Sequence, residues 1–109
     1  MANWRQLGAI WQLRPAEPTG LIEFIGGSYL AATPQISYRR LLEELATDGL
    51  AVHAWAYVPG FDHQRQARDA WSAFRSARRQ LEERCGTFGA PLRLGHSLGC
   101  KLHLLAPDG

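Results

Sequence analysis

The sequence predicts an α/β domain in three layers, a mostly parallel sheet between helices, of which only the N-terminal half is present. Three observations predict it. Apolar runs of strand length alternate with amphipathic runs of helix length. The strand-like run Leu92-Arg93-Leu94 leads straight into Gly95-His96-Ser97-Leu98-Gly99, a serine with glycine two positions away on either side. Little chain follows that serine, since the sequence has 109 residues. That length allows one domain at most, a single partial one over 1–109.

Residues 4–13 alternate loosely between apolar and polar around Gly8, the pattern of a short hairpin or two edge strands. The cluster Pro15-Ala16-Glu17-Pro18-Thr19-Gly20 is a turn. Residues 21–25 read as a buried strand stopped by Gly26-Gly27. Thr33-Pro34 is a helix start, with a capping hydroxyl and proline in the first turn. Ile36, Leu41, Leu42 and Leu45 make that helix's apolar face, and Asp48-Gly49 ends it. The next strand runs over 50–58 and is closed by Pro59-Gly60. Asp62 caps a long helix over 63–84 whose apolar stripe is Ala67, Ala70, Trp71, Phe74, Ala77 and Leu81. Gly86 and Gly89-Ala90-Pro91 lead into the strand before Ser97. Strand, helix, strand, helix, strand, helix is the order of a parallel sheet covered by crossover helices. Ligands in such sheets bind outside the carboxyl ends of the strands. Gly26-Gly27-Ser28, residues 59–63 and residues 95–99 therefore share one rim.

Composition narrows the function classes. Apolar residues make up 46% and charged residues 20%, a balance of a folded globular chain and not of a disordered one. The net charge of +2 comes from scattered arginines, so no nucleic-acid partner is expected. Cys85 and Cys100 are too few for a disulfide framework, and reduced thiols in the cytoplasm fit them best. No apolar run is long enough for a signal peptide or a membrane span. The Gly-Gly loop lacks the Gly-Lys-Ser/Thr ending of a phosphate loop. His96, Cys100 and His103 have helical spacing for a metal, but His96 sits in a turn and no fourth ligand is evident. No cofactor and no metal are expected.

Strand, small-x-Ser-x-small and helix in that order is the nucleophile elbow of α/β-hydrolases. A serine hydroxyl needs a base to take its proton and preplaced donors for the developing oxyanion. The elbow exposes Ser97 and aims the backbone N–H of Leu98 at the oxyanion. The loop after the strand over 21–25, with Gly27 and Ser28, is placed to give the second donor. The plainer alternative is a glycine-flanked turn without chemistry. Among the histidines, His53 lies inside a strand, His96 is the x of the motif, and His103 sits on the following helix. His63, beside Asp62 on the rim, is the internal candidate for a base or a substrate contact. In this fold the triad acid and histidine follow the serine in chain order, so both are expected beyond the elbow helix.

Residues 24–39 (Phe-Ile-Gly-Gly-Ser-Tyr-Leu-Ala-Ala-Thr-Pro-Gln-Ile-Ser-Tyr-Arg), Phe61-Asp62-His63 and residues 95–103 resemble a known family. It is the domain of unknown function 1350 family, an α/β-hydrolase-like family of cyanobacteria and chloroplasts. The likeness runs from about residue 4 onward. It implies the N-terminal part of a serine hydrolase, esterase- or lipase-like, acting on a small-molecule acyl ester. By position it implies Ser97 as nucleophile, Leu98 as oxyanion donor, Gly26 and Gly27 as the Gly-Gly loop, and Asp62-His63 as the pair after the second parallel strand. A non-catalytic binding or scaffold domain that keeps the elbow as structure is the alternative. Family members continue well past the elbow helix, so this chain alone is expected to be inactive. Its Ser97 strand would be left as a sheet edge, with Leu92 and Leu94 inviting self-association.

Overall fold

The computed structural model describes residues 3–107. Residues 4–13 form the hairpin, β1 (Trp4–Leu7) and β2 (Ile10–Leu13). Gly8 turns between them at φ +61°, a conformation that side-chain-bearing residues seldom adopt. Three further strands follow, β3 (Gly20–Ile25), β4 (Leu50–Trp55) and β5 (Leu92–Gly95). The sheet order is β1-β2-β4-β3-β5. β3 pairs in parallel with β4 and with β5, while β1–β2 and β2–β4 are antiparallel.

The sheet is thus mixed and not mostly parallel. Only the strands joined by crossover helices run parallel, and the hairpin adds on antiparallel through β4. β5 lies at an edge, paired with β3 alone among the described residues. β4 stops at Trp55, short of the expected 50–58, although Tyr57 still donates its N–H to Ala31.

Helices cover both faces. α3 (His63–Cys85) buries Ala67, Ala70, Phe74, Ala77 and Leu81, the expected stripe apart from a half-buried Trp71. It packs on Ile10, Ile25 and Trp55. The Asp62 carboxylate caps it by accepting from Arg65 N–H at 3.0 Å. The other face carries Leu13, Phe24, Val52 and Ala54 against Leu42. α4 (Leu98–Leu105) starts at the elbow and buries Leu102 with the α3 cluster.

The expected single helix from Thr33 is two. α1 (Pro34–Ser37) and α2 (Arg39–Thr47) are separated by Tyr38, whose φ −116° and ψ 20° break the helical run. The break shifts the phase of the apolar pattern, so Leu42 is buried while Ile36 and Leu41 stand exposed. Thr33 makes no capping bond to the backbone; its hydroxyl lies 3.4 Å from that of Ser37.

Alternation on the strands places one polar residue mid-strand on the α3 face of four neighbours. In register these are Gln12, His53, Glu23 and Arg93, across β2, β4, β3 and β5. Gln12, His53 and Glu23 are buried. Burial pushes the Glu23 carboxyl above the ordinary carboxylate range, opposed by the charges of Arg78, Arg93 and Arg75. Among the described residues no helix is long and apolar enough to cross a membrane.

Candidate active site around Ser97

The turn from β5 into α4 fixes Ser97 in an unusual backbone state. Its φ is +57° and ψ −122°, and it is the one non-glycine residue with positive φ among those described. Such a conformation costs on the order of 1–3 kcal/mol and persists only where the surroundings impose it. The surroundings here are tight. A Cβ at Gly95 would stand 2.7 Å from the Cys100 nitrogen, and one at Gly99 would overlap the Ile25 carbonyl. The two glycines are therefore required by close backbone approach, as the spacing around Ser97 predicts. His96 N–H donates to that same Ile25 carbonyl at 3.1 Å, which locks the turn to the end of β3.

The outcome is an exposed Ser97 at the N-cap of α4, whose side chain makes no capping bond. The N–H of Leu98, first in the helix, has no intrahelical acceptor and lies at the positive end of the helix dipole.

The Gly26–Gly27 loop meets this turn. A Cβ on Gly27 would come within 3.1 Å of the Ser97 Cβ and 3.2 Å of His96 Nδ1. The loop is held at several points. Tyr57 Oη donates to the Gly26 carbonyl at 2.8 Å, and Leu30 N–H donates to the Gly27 carbonyl at 3.1 Å. Burial pushes the Tyr57 hydroxyl up to about 12, with Tyr38 adding to the shift, so it stays a donor at neutral pH. Gly27 N–H donates to Tyr38 Oη at 2.8 Å. That bond occupies one of the two loop N–H groups the sequence offers for an oxyanion, and leaves the other, Ser28 N–H, unpaired among the described residues.

The histidines separate clearly. His53 is fully buried and its Nε2 lies 2.8 Å from the Gln12 amide nitrogen; desolvation lowers its pKa to about 4. His103 turns inward, bonded through Nε2 to the Leu94 carbonyl at 3.0 Å and stacked on Phe74. Burial takes it to about 4 as well, against the raising effect of that carbonyl bond. His96 is exposed, with Nδ1 2.8 Å from Tyr38 Oη. His63 is the first residue of α3, on the loop after β4, and β3 stands between β4 and the Ser97 strand. The structure does not bring His63 against Ser97.

No described histidine or carboxylate contacts the Ser97 hydroxyl. Among the described residues no group of His, Cys, Asp or Glu is arranged to hold a metal. His96 and His103 point to different partners, which undoes the helical spacing they share with Cys100.

Tyr38 is the site residue that sequence reasoning passes over, since it reads as part of a helix; Tyr57 reads as a strand-face aromatic that can reach the rim. The signal for Tyr38 is indirect: a tyrosine beside a helix break, one crossover away from a Gly-Gly loop.

The sequence shows a family relationship and little beyond it. Comparison with curated proteins gives no match, and comparison with solved structures gives none either. A family described as "Protein of unknown function (DUF1350)" matches over residues 3–108. With nearly its whole length matched, the chain belongs to the DUF1350 family.

Proposed function

We propose that the chain is the N-terminal part of a serine ester hydrolase of α/β-hydrolase type, with Ser97 as its nucleophile. The observation that carries this reading is the positive φ of Ser97 at a strand-to-helix turn. An unfavourable backbone conformation that serves to expose a hydroxyl is a feature of a working elbow. The strand order, with β4 between β2 and β3 and the serine on the turn after β5, supports the same fold.

In this reading Ser97 Oγ attacks the carbonyl carbon of a small acyl ester while a base takes its proton. The oxyanion is held by Leu98 N–H and by Ser28 N–H of the loop. Expulsion of the alcohol leaves an acyl-serine, which water then cleaves to free acid and serine. The base and its acid partner come from outside the described residues. The free thiols of Cys85 and Cys100 fit a reducing, cytoplasmic compartment.

One observation favours a second reading, a binding or scaffold domain: no described base reaches Ser97. Labelling of the protein expressed from its natural gene with a fluorophosphonate separates the two. The hydrolase reading expects one covalent adduct on Ser97 that disappears in Ser97→Ala. Well-folded protein that takes no label supports the scaffold.

A further inference from the structure

We propose that Tyr38 is a positioning residue of this site, its hydroxyl clamping the Gly26–Gly27 loop to the Ser97 elbow. A tyrosine hydroxyl has one hydrogen to give and two lone pairs with which to accept. Here Oη lies 2.8 Å from Gly27 N and 2.8 Å from His96 Nδ1. The Gly27 amide must donate, and the hydroxyl bonds His96 Nδ1 as donor or as acceptor according to the ring's tautomer. One oxygen thus joins the loop after β3 to the residue preceding the nucleophile, 58 positions from Tyr38 in sequence.

The ring is held as firmly as the oxygen. It meets Phe24 edge-on at 4.6 Å between centroids and His96 at 5.7 Å. A Cβ on Gly26 would stand 2.5 Å from Tyr38 Cε2, so glycine at 26 is what lets the ring reach the loop. The helix break between α1 and α2 falls on this same residue.

The clamp has a definite effect on the donors of the site. It holds Gly27 N–H on the Tyr38 side of the loop. Gly26 and Gly27 carbonyls are tied down by Tyr57 and Leu30, so Ser28 N–H is the loop donor that remains. The catalytic consequence rests on the reading of Ser97 as nucleophile; the clamp itself rests on the geometry alone.

Tyr38→Phe tests it, because the ring packing survives and only the oxygen is lost. Amide hydrogen exchange should then rise by on the order of tenfold or more at Gly27 and stay fast at Ser28 in both proteins. The ¹⁵N signal of His96 Nδ1 should shift, because its bonding partner is gone. Fluorophosphonate labelling of Ser97 should slow by on the order of tenfold through its chemical step, with reversible probe binding little changed.

His96→Asn, whose amide can donate or accept near the Nδ1 position, should label close to wild type, whereas His96→Phe should slow as Tyr38→Phe does. That pair decides the matter if Tyr38→Phe fails to fold. Unchanged Gly27 exchange and an unchanged His96 signal in Tyr38→Phe would overturn the clamp. Wild type that takes no label while both signals respond would overturn the hydrolase reading and leave the clamp standing.

Discussion

The side-chain amide of Gln12 donates to Nε2 of His53 at 2.8 Å, inside the sheet and across the β2–β4 pairing. The amide nitrogen can only donate, so His53 accepts on Nε2 and carries its proton on Nδ1. That Nδ1 is buried without a partner. A second proton would have to enter at Nε2, where it would face the N–H of Gln12. The ring is therefore built to stay neutral.

Acid sensitivity follows, with a definite sign. His53 and His103 sit at about 4 in the folded chain, below the ordinary 6.5. Between those values the unfolded chain binds protons that the folded chain does not, so stability falls as pH drops. Each histidine contributes a slope approaching roughly 1.4 kcal/mol per pH unit in that window. Glu23, raised by burial, acts oppositely, because its folded state takes up a proton first. The two histidines set the direction, so stability should fall between pH 7 and pH 4. Urea midpoints measured between pH 7 and pH 4 check this, and a flat profile would contradict it.

The strain at Ser97 separates two substitutions that both remove the hydroxyl. Ser97→Ala keeps a Cβ at φ +57° and should leave stability nearly unchanged. Ser97→Gly relieves the conformation, partly offset by greater freedom of the unfolded chain, and should gain about 1 kcal/mol. Denaturant midpoints of the two variants give the comparison; equal stabilities would mean that the turn is unstrained.

Gly99→Ala should damage the fold and not the chemistry alone. Its Cβ would enter the Ile25 carbonyl, which already accepts from His96 N–H. Moving α4 away from β3 to make room costs at the upper end of the roughly 1–3 kcal/mol typical of overpacking. A melting temperature within a degree of wild type would show that α4 can shift freely.

The helix starts give a matched pair. Asp62→Ala removes the bond to Arg65 N–H and should cost about 1 kcal/mol. Thr33→Ala, at the start of α1, should cost little, since that hydroxyl caps no backbone group. Neither substitution should alter labelling of Ser97. Thermal unfolding of both variants distinguishes a working cap from a hydroxyl that merely occupies the position.

Local signals explain what the sequence makes legible. The stripe from Ala67 to Leu81 and the Asp62 cap are contained in one stretch of chain, and α3 follows them closely. Gly95 declares the elbow locally, because a Cβ there would meet Gly99 and Cys100, whereas the demand on Gly99 comes from Ile25 of β3. Tyr38 was harder to read, since its meaning depends on Gly27 and His96 arriving from other elements. The antiparallel join of β2 to β4 is equally non-local, and hydrophobic pattern does not specify which strand a hairpin will meet. The polar row was visible as single interruptions, Glu23 in one apolar run and His53 in another. Only the register turns those interruptions into neighbours.

The position of β4 between the hairpin and β3 also governs timing during synthesis. The hairpin is made first, yet its anchor His53 lies 41 residues after Gln12. A two-stranded hairpin is marginal on its own in water. At about 5–20 residues per second, a ribosome needs roughly 2–8 s to deliver the partner strand. Through that interval Trp4, Ile10, Trp11 and Leu13 have no sheet to rest on. The hairpin thus has to wait on later chain for the strand that anchors it.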